Sequence, residues 1–179
     1  MFTKKPAGPK APWAVRLLTA DFLVDGFCDT EAHPEGWPFF TPQTGTAPAG
    51  LLWLDRPRFT PVAAGMTPQP AVSQWVLPYS SNYVALMPFD DASLAAMRKN
   101  AADDKYAKAA VVHVGPFAIR GQLMSPYEAT SYMSTMAHHL SYTMTDVEIE
   151  YRGPNPQFTG LKSPLALVRT HLLQGIGLL

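Results

Sequence analysis

The sequence has few charged residues, and the two signs cancel. Lys+Arg and Asp+Glu both total 14, so only 16% of the 179 residues are charged and the net charge is zero. Nucleic-acid binding usually draws on a basic excess that releases counterions from phosphates, so we do not expect nucleic acid as the main partner. A surface this poor in charge indicates that another protein covers part of it.

Cysteine, long apolar runs and catalytic signatures are also scarce. Cys28 is the single cysteine, which excludes an internal disulfide and argues against a thiolate metal site. No apolar run approaches the roughly eighteen residues of a membrane span, and the first residues lack the apolar stretch of a signal peptide. We therefore expect a cytoplasmic protein, at the cytoplasmic face of a membrane complex if it meets a membrane. Neither a Gly-x-Ser-x-Gly elbow nor a phosphate-binding glycine loop is present, so we expect no enzyme, no cofactor and no metal.

One sequence pattern is present twice. Phe22–Cys28 (FLVDGFC) and Phe117–Leu123 (FAIRGQL) share an aromatic residue, a β-branched residue, a glycine and a final apolar residue at the same spacing, 95 residues apart. The same offset carries Leu52 onto Val147 and Leu54 onto Ile149. An offset of 90 carries the later apolar positions onto one another: Trp75 onto Leu165, Leu77 onto Leu167, Tyr83 onto Leu173 and Leu86 onto Ile176. The pattern predicts a half-chain duplication.

The expected fold is a β-rich α+β protein made of two pseudo-repeated small β-sheets or barrels. Residues 1–12 form a flexible basic arm, 13–89 the first repeat, 90–110 a connector helix and 111–179 the second repeat. Asp90 or Asp91 caps the connector helix, which is expected over about Ala92–Ala109. A second short helix begins at the Ser125-Pro-Tyr-Glu128 capping box and ends near His139. Alternating apolar residues predict the strands Val15–Cys28, Leu51–Leu54, Phe59–Ala63, Val72–Leu77, Asn82–Met87, Ala110–Leu123, Thr145–Tyr151 and Leu165–Leu173.

An aromatic loop, Trp37-Pro38-Phe39-Phe40, lies in a segment rich in proline and glycine. Aromatic side chains anchor interfaces at little entropic cost, so the loop could bind a protein or enter a membrane interface. It could equally fold back over the first core, where the second copy has a helix. The expected partner-binding residues combine this loop with the basic arm and the apolar C-terminal end: Lys4, Lys5, Lys10, Trp13, Trp37, Phe39, Phe40, Leu178 and Leu179.

Two further clusters invite a metal-binding interpretation. His138 and His139 are adjacent, so on a helix their side chains point about 100° apart and cannot chelate one ion together. Asp146, Glu148 and Glu150 share one face of a strand, where they could bind a cation or a basic partner, or simply face solvent. We favour a polar helix end for the histidines and a solvated face for the carboxylates.

The second half, from Val111 to Ile176, resembles uncharacterised bacterial small β-barrel domains. Its Gly121-x-Leu123 strand followed by Asp146-Val147 is also similar to the first half of an Sm-like RNA-binding barrel. The Sm-like pattern includes an asparagine near that aspartate, which this chain lacks, and a late Arg-Gly or Lys-Gly, whereas Arg152-Gly153 comes too early. Each departure removes a nucleotide-contacting residue, so the resemblance implies a fold and does not carry RNA binding with it.

Three functions remain open from the sequence. The leading one is a non-catalytic structural or adaptor subunit of a larger protein assembly, such as a respiratory or photosynthetic complex, docked through the basic arm and the aromatic loop. The first alternative is a small-barrel nucleic-acid-binding module, which needs a basic face built from residues such as Lys4, Lys5, Lys10, Arg16, Arg56 and Arg58. The second is an enzyme or small-ligand binder with its pocket between the two repeats.

Overall fold

A computed structural model describes residues 12–28, 51–67, 69–78, 83–101, 105–125, 141–158, 160–169 and 173–179. These residues form ten strands and one helix. The elements are β1 (Trp13–Thr19), β2 (Phe22–Cys28), β3 (Leu51–Pro61), β4 (Gln74–Pro78), β5 (Tyr83–Pro88), α1 (Asp91–Asn100), β6 (Tyr106–Val114), β7 (Phe117–Ser125), β8 (Ser141–Tyr151), β9 (Leu161–Arg169) and β10 (Leu173–Leu178). The expectation of a β-rich fold is confirmed.

All ten strands lie in one antiparallel sheet, in the order β10-β6-β7-β8-β9-β5-β1-β2-β3-β4. The expectation of two separate sheets is therefore wrong. The join is the pairing of β5 with β9, where Ala85 lies opposite Val168 and Leu86 opposite Leu167. A second link joins the halves at the end of β3, where Ala63 bridges Pro156 in the loop that follows β8.

The first and second halves of the sheet have the same strand order. The first five strands run β5-β1-β2-β3-β4, and the last five run β10-β6-β7-β8-β9, so in each half the last strand pairs with the first. Residues that pair in the equivalent way in the two halves differ in residue number by a constant offset for each strand. The offset is 95 from β2 to β7, 90 from β3 to β8, 91 from β4 to β9 and 90 from β5 to β10. By pairing position, Leu54 corresponds to Met144 and not Ile149, and Trp75 to Ala166 and not Leu165.

In both halves the ladder between the second and third strands has an irregularity at the same place. The ladder between β2 and β3 shifts register at Gly26, and the ladder between β7 and β8 shifts at Gly121. Opposite each shift stands a residue with positive φ, Arg56 (φ 49°) in β3 and Asp146 (φ 51°) in β8. Extra residues of this kind are β-bulges, which increase local twist and bend a strand.

Two hydrophobic cores lie on opposite faces of the sheet and share its central strands. The first core contains Val15, Leu17, Val24, Cys28, Leu54, Tyr83, Leu86, Met97, Leu165 and Leu167. The second core gathers apolar residues of β6 to β9 with Leu18, Val62, Ala85 and Met87. Because successive side chains of a strand point to opposite faces, β9 sends Leu165 and Leu167 to the first core and Ala166 and Val168 to the second. The central strands are consequently buried on both faces.

The helix α1 covers the first core. Asp90 caps it by accepting from the backbone N–H of Ser93 at 2.7 Å, and the Ser93 hydroxyl accepts in turn from the backbone N–H of Asp90 at 3.2 Å. Met97 is fully buried in the first core. The start of the predicted helix is confirmed, but its extension to Ala109 is wrong. Residues from Tyr106 onward form β6, because pairing with β7 along the whole strand, joined by pairing with β10 from Ala110, outweighs the weak helical pattern there.

Several predicted strands are divided differently in the structure. The stretches predicted as Val15–Cys28 and Ala110–Leu123 are each a hairpin; the second turns at Gly115, whose φ of 55° suits a residue without Cβ. The strands predicted at 51–54 and 59–63 are parts of β3, and the last predicted strand is divided between β9 and β10. The alternation expected over 145–151 is confirmed, with Val147 and Ile149 buried and Glu148 and Glu150 exposed. The second predicted helix lies outside the described residues except for Ser125, the last residue of β7.

Candidate functional site: the two outer edge strands

The sheet ends in two edge strands, β4 and β10. Within the described part of the chain, β4 pairs only with β3 and β10 only with β6. An edge strand presents backbone N–H and C=O groups on its outer side, which are a template for pairing with another strand. The two edges are therefore the principal places where this sheet can bind a further chain.

Neither edge strand carries a charged residue. The sequence of β4 is Gln-Trp-Val-Leu-Pro and that of β10 is Leu-Gln-Gly-Ile-Gly-Leu. Soluble proteins usually protect an edge with charged side chains, prolines, bulges or a covering segment. Among the described residues, β4 has only Pro78 at its end, and β10 has only a register shift between Leu173 and Gly175. Within that part of the chain the two edges have little of the protection that keeps sheets from associating.

The side chains along both edges are apolar and only partly covered. Trp75, Val76 and Leu77 of β4 are half-buried, and so is Ile176 of β10. The Trp75 ring packs edge-on against Phe59, with ring centroids 5.2 Å apart, which fixes its orientation beside the first core. Beyond Ile176, Leu178 is 41% exposed and Leu179 is 77% exposed. A strand added at either edge would cover this apolar area.

The junction between β5 and β9 shows what such an edge becomes when it is paired. Ala85, Leu86, Leu167 and Val168 are each at most 1% exposed there. By the offsets of 91 and 90, β9 corresponds to β4 and β5 corresponds to β10. The two outer edges are thus the counterparts of the two strands that pair with each other inside the chain.

A buried arginine and tyrosine lie at one end of this junction. The Arg169 guanidinium lies 4.9 Å from the centroid of the Tyr83 ring, and both residues are buried. Burial raises the pKa of Tyr83 to about 12, and the positive charge and hydrogen bond of Arg169 offset part of that rise. Burial alone raises the pKa of Tyr142 to about 12. Both phenols stay protonated near neutral pH, so they have no feature of an acid–base site. The contact between Arg169 of β9 and Tyr83 of β5 joins the two halves.

The residues expected from the sequence to bind partners fall into three groups. Leu178 and Leu179 are exposed at the end of β10, which is one of the outer edges. Trp13 is half-buried and packs against the first core. The other six lie outside the described residues: Lys4, Lys5, Lys10, Trp37, Phe39 and Phe40. His138 and His139 lie outside them as well.

The expected carboxylate ladder faces outward on β8, and two of its members have basic neighbours. Glu148 lies 3.4 Å from the Lys162 ammonium, and Glu150 lies 3.0 Å from the Arg152 guanidinium. Exposed pairs of this kind contribute little to stability. No group of three or more His, Cys, Asp or Glu side chains is placed to hold a metal ion in the described ranges. The ladder is a solvated face.

The described arginines of the expected basic face are largely engaged within the fold. Arg16 donates two hydrogen bonds to Asp25, at 2.6 and 2.8 Å, and its guanidinium lies 4.6 Å from the Phe89 ring centroid. Arg56 lies 4.4 Å from the Phe27 ring centroid. A two-point arginine–carboxylate pair neutralises both charges and fixes their geometry. Of these arginines, Arg16 is therefore paired with a carboxylate, whereas Arg56 and Arg58 are exposed.

Sequence reasoning found only the end of one edge, at Leu178 and Leu179, and missed β4 and the rest of β10. The relevant signal was available: two short apolar strands without charge, Gln74–Pro78 and Leu173–Leu178. What was missing was the knowledge that these two strands end the sheet.

Among the described residues no helix is long and apolar enough to cross a membrane. No protein-family model, curated protein or solved structure matches this chain.

Proposed function

We propose that the chain is a non-catalytic structural or adaptor subunit that joins a larger protein assembly through the edges of its sheet. The observation that carries this proposal is the pair of uncharged, partly exposed apolar edge strands, β4 and β10. An extended segment of a partner adds to such an edge as one more strand, with main-chain hydrogen bonds providing affinity and side-chain pockets providing specificity.

The size of the effect follows from the length of the edges. A partner strand opposite β4 or β10 makes four to six backbone hydrogen bonds, each worth roughly 0.5–1.5 kcal/mol net. Covering the apolar side chains contributes about 25 cal/mol for each Å² removed from water. The hydrogen bonds alone total roughly 2–9 kcal/mol, which is of the order of the cost of association, so specific binding also requires the apolar cover. The basic arm (Lys4, Lys5, Lys10) and the aromatic loop (Trp37, Phe39, Phe40) are part of the same proposal as further partner contacts.

We also propose that the two halves arose by internal duplication. The support is the common strand order, the constant offsets between partner positions and the bulge that recurs at Gly26 and Gly121. A bulge is a specific feature, since it requires an extra residue at one position of one strand. A related chain that contained one five-strand unit would be the direct test.

The test of the adaptor proposal is recovery of the full-length chain from its native source, followed by sizing and mass spectrometry. Two edge variants are compared with the wild-type chain. Val76→Lys places a charge on β4, and Gly177→Lys places one on β10, where a Cβ would have no neighbour nearer than the Val111 carbonyl oxygen at 4.0 Å. Ala95→Lys is the matched control, because it adds the same charge at an exposed position of α1, which packs against β1, β5 and β9 and lies away from both edges.

We expect the wild-type chain and Ala95→Lys to migrate in an assembly larger than the monomer. Val76→Lys and Gly177→Lys should be lost from it, because a charge at an edge opposes the burial of the added strand. Recovery of the wild-type chain as a lone monomer would refute the proposal. So would recovery of both edge variants in the assembly at the wild-type level.

A further inference from the structure

We propose that the occupant of each outer edge is a second copy of this chain, with β4 of one copy pairing antiparallel with β10 of the next. The inference rests on the proposed function and names its partner. In this pairing Leu77 lies opposite Gly175 and Val76 lies opposite Ile176. Chains then add head to tail, and one ten-stranded sheet continues into the next.

The argument begins with the pairing that already exists inside the chain. In the first half β4 is the fourth strand and β5 the fifth, and in the second half β9 and β10 have these positions. The internal junction pairs the fourth strand of the second half with the fifth strand of the first. This junction uses one strand of each type and leaves the other strand of each type, β4 and β10, at the ends of the sheet. One outer edge is therefore a fourth strand and the other a fifth strand, which is the combination that pairs at the internal junction.

The register follows from the same correspondence. An offset of 91 carries Val168 back to Leu77 and Leu167 back to Val76, and an offset of 90 carries Ala85 to Gly175 and Leu86 to Ile176. The internal pairs Ala85–Val168 and Leu86–Leu167 become Gly175–Leu77 and Ile176–Val76. Since a slip by one residue would turn every side chain to the other face of the sheet, this register is a specific expectation.

The side chains at the two junctions match in size and polarity. Internally, a small residue faces a branched one (Ala85 and Val168), and between copies Gly175 would face Leu77. The other internal pair is two large aliphatic residues, Leu86 and Leu167, and between copies Ile176 would face Val76. Apolar exchanges that keep the total volume are those that packed interiors tolerate best. With no charge on either strand, like-charge repulsion does not oppose the pairing.

The irregularity in β10 does not prevent the pairing. The ladder between β10 and β6 shifts between Leu173 and Gly175, which leaves Gln174 unmatched. The ladder between β5 and β1 shifts at the corresponding place and leaves Val84 unmatched. Despite that shift, β5 pairs with β9 on its other side. The bulge of β10 is thus compatible with a strand on its outer side.

The resulting interface joins two different surfaces, so it is heterologous. Such contacts build a ring when the rotation from copy to copy closes, and an open filament when it does not. Pairing of β4 with β4, or of β10 with β10, would instead give a two-fold symmetric dimer. These arrangements predict different cross-links, which makes them separable.

Disulfide trapping of the full-length chain tests the register. Val76→Cys and Ile176→Cys are made in separate chains, reduced, mixed and then oxidised; Leu77→Cys with Gly175→Cys is a second pair. Opposite residues of antiparallel strands have Cα atoms about 4.5–5.5 Å apart, which is within disulfide range. Cys28 is fully buried, so it does not compete. Val76→Cys mixed with Gln174→Cys is the control, because Gln174 is exposed on the same strand but out of register.

We expect dimers that dissociate on reduction from the two in-register mixtures and at most a tenth as much from the control. A chain carrying both Val76→Cys and Ile176→Cys should give a ladder of multimers or one closed species. Homodimers of a single variant, with no heterodimer in the mixtures, would overturn the proposal in favour of a two-fold pairing. Equal cross-linking in the control mixture would overturn the register.

The failure of this inference differs from the failure of the adaptor proposal. If the pure chain stays monomeric and untrapped, but the native assembly still loses Val76→Lys and Gly177→Lys, the edges bind a different protein and only the self-pairing is refuted. If the pure chain is monomeric and no assembly is recovered from the native source, both proposals are refuted. Trapping in register supports both.

Discussion

The close approach of Gly121 to β8 leads to a sharp prediction about stability. A Cβ added to Gly121 would lie 2.6 Å from the backbone carbonyl oxygen of Thr145, closer than side chains tolerate. A Cβ added to its counterpart Gly26 would lie 3.3 Å from the carbonyl oxygen of Asp55 and 3.3 Å from the Leu54 Cβ. The two glycines have corresponding places in the two halves, so Gly26→Ala is the matched control for Gly121→Ala.

The expected magnitude follows from what would have to move. Thr145 pairs with Gln122 on one side and with Leu165 on the other, so its carbonyl cannot retreat without disturbing two ladders. Overpacking of this kind costs roughly 1–3 kcal/mol. Replacing glycine by alanine also removes freedom from the unfolded chain, which returns about 0.4–1 kcal/mol. We expect Gly121→Ala to lower the free energy of unfolding by about 1–2 kcal/mol, and Gly26→Ala to change it by less than about 1 kcal/mol.

The assay is urea unfolding followed by far-ultraviolet circular dichroism and tryptophan fluorescence. The midpoint should fall for Gly121→Ala while the dependence on urea concentration stays constant, because the surface exposed on unfolding is unchanged. Gly177→Ala, at an exposed position with space for a Cβ, controls for the loss of glycine in a strand. If Gly121→Ala is no more destabilising than Gly26→Ala, the described approach of β7 to β8 is wrong.

Two further predictions concern the junction and the helix. The pKa of Tyr83 is raised to about 12 by burial, whereas the phenol of an unfolded chain titrates near 10. The unfolded chain therefore loses this proton first, and the free energy of unfolding should fall by up to about 3 kcal/mol between pH 10 and 12. Tyr83→Phe should remove this share of the fall in urea unfolding at pH 9 and pH 11.5 and leave the share of Tyr142, and an unchanged slope would contradict the assignment. Met97→Ala empties a fully buried site and should lower the free energy of unfolding by about 2–5 kcal/mol, whereas Lys99→Ala on the exposed face should leave it within about 0.5 kcal/mol.

Local patterns in the sequence predict several elements because the physics that forms them is local. Alternation over Thr145–Tyr151 predicts a strand with one buried face, since a strand repeats every two residues. The adjacent Asp90 and Asp91 predict the start of α1, and in the structure the Asp90 carboxylate satisfies a backbone N–H of the first turn. The offset of 95 between Phe22–Cys28 and Phe117–Leu123 is also the offset between β2 and β7 in the sheet.

Other boundaries depend on pairing partners that the sequence does not name. The turn between β1 and β2 has neither glycine nor proline at 20–21, so the sequence predicts one strand where the structure has a hairpin. The Thr19 hydroxyl shapes this turn by accepting a hydrogen bond from the backbone N–H of Phe22 at 2.9 Å. The segment after Asn100 has helix-forming alanines and lysines, yet pairing on both sides makes 106–114 a strand. The sequence aligns Trp75 with Leu165, whereas the strand pairing aligns it with Ala166, one residue further. The central strand β9 has apolar residues on both faces, so it lacks the alternation from which a register can be read.

By itself, then, the sequence determines a strand-rich chain with little charge, a helix start after Asp90 and one apolar pattern that is present twice. These properties follow from short-range preferences and composition, which need no knowledge of partners. Only the tertiary structure decides that the halves join in one sheet through β5 and β9, and that β4 and β10 are left at its ends. Strand order is set by contacts between residues far apart in the chain, so no local pattern contains it. That order is what turns two unremarkable apolar strands into the proposed binding edges.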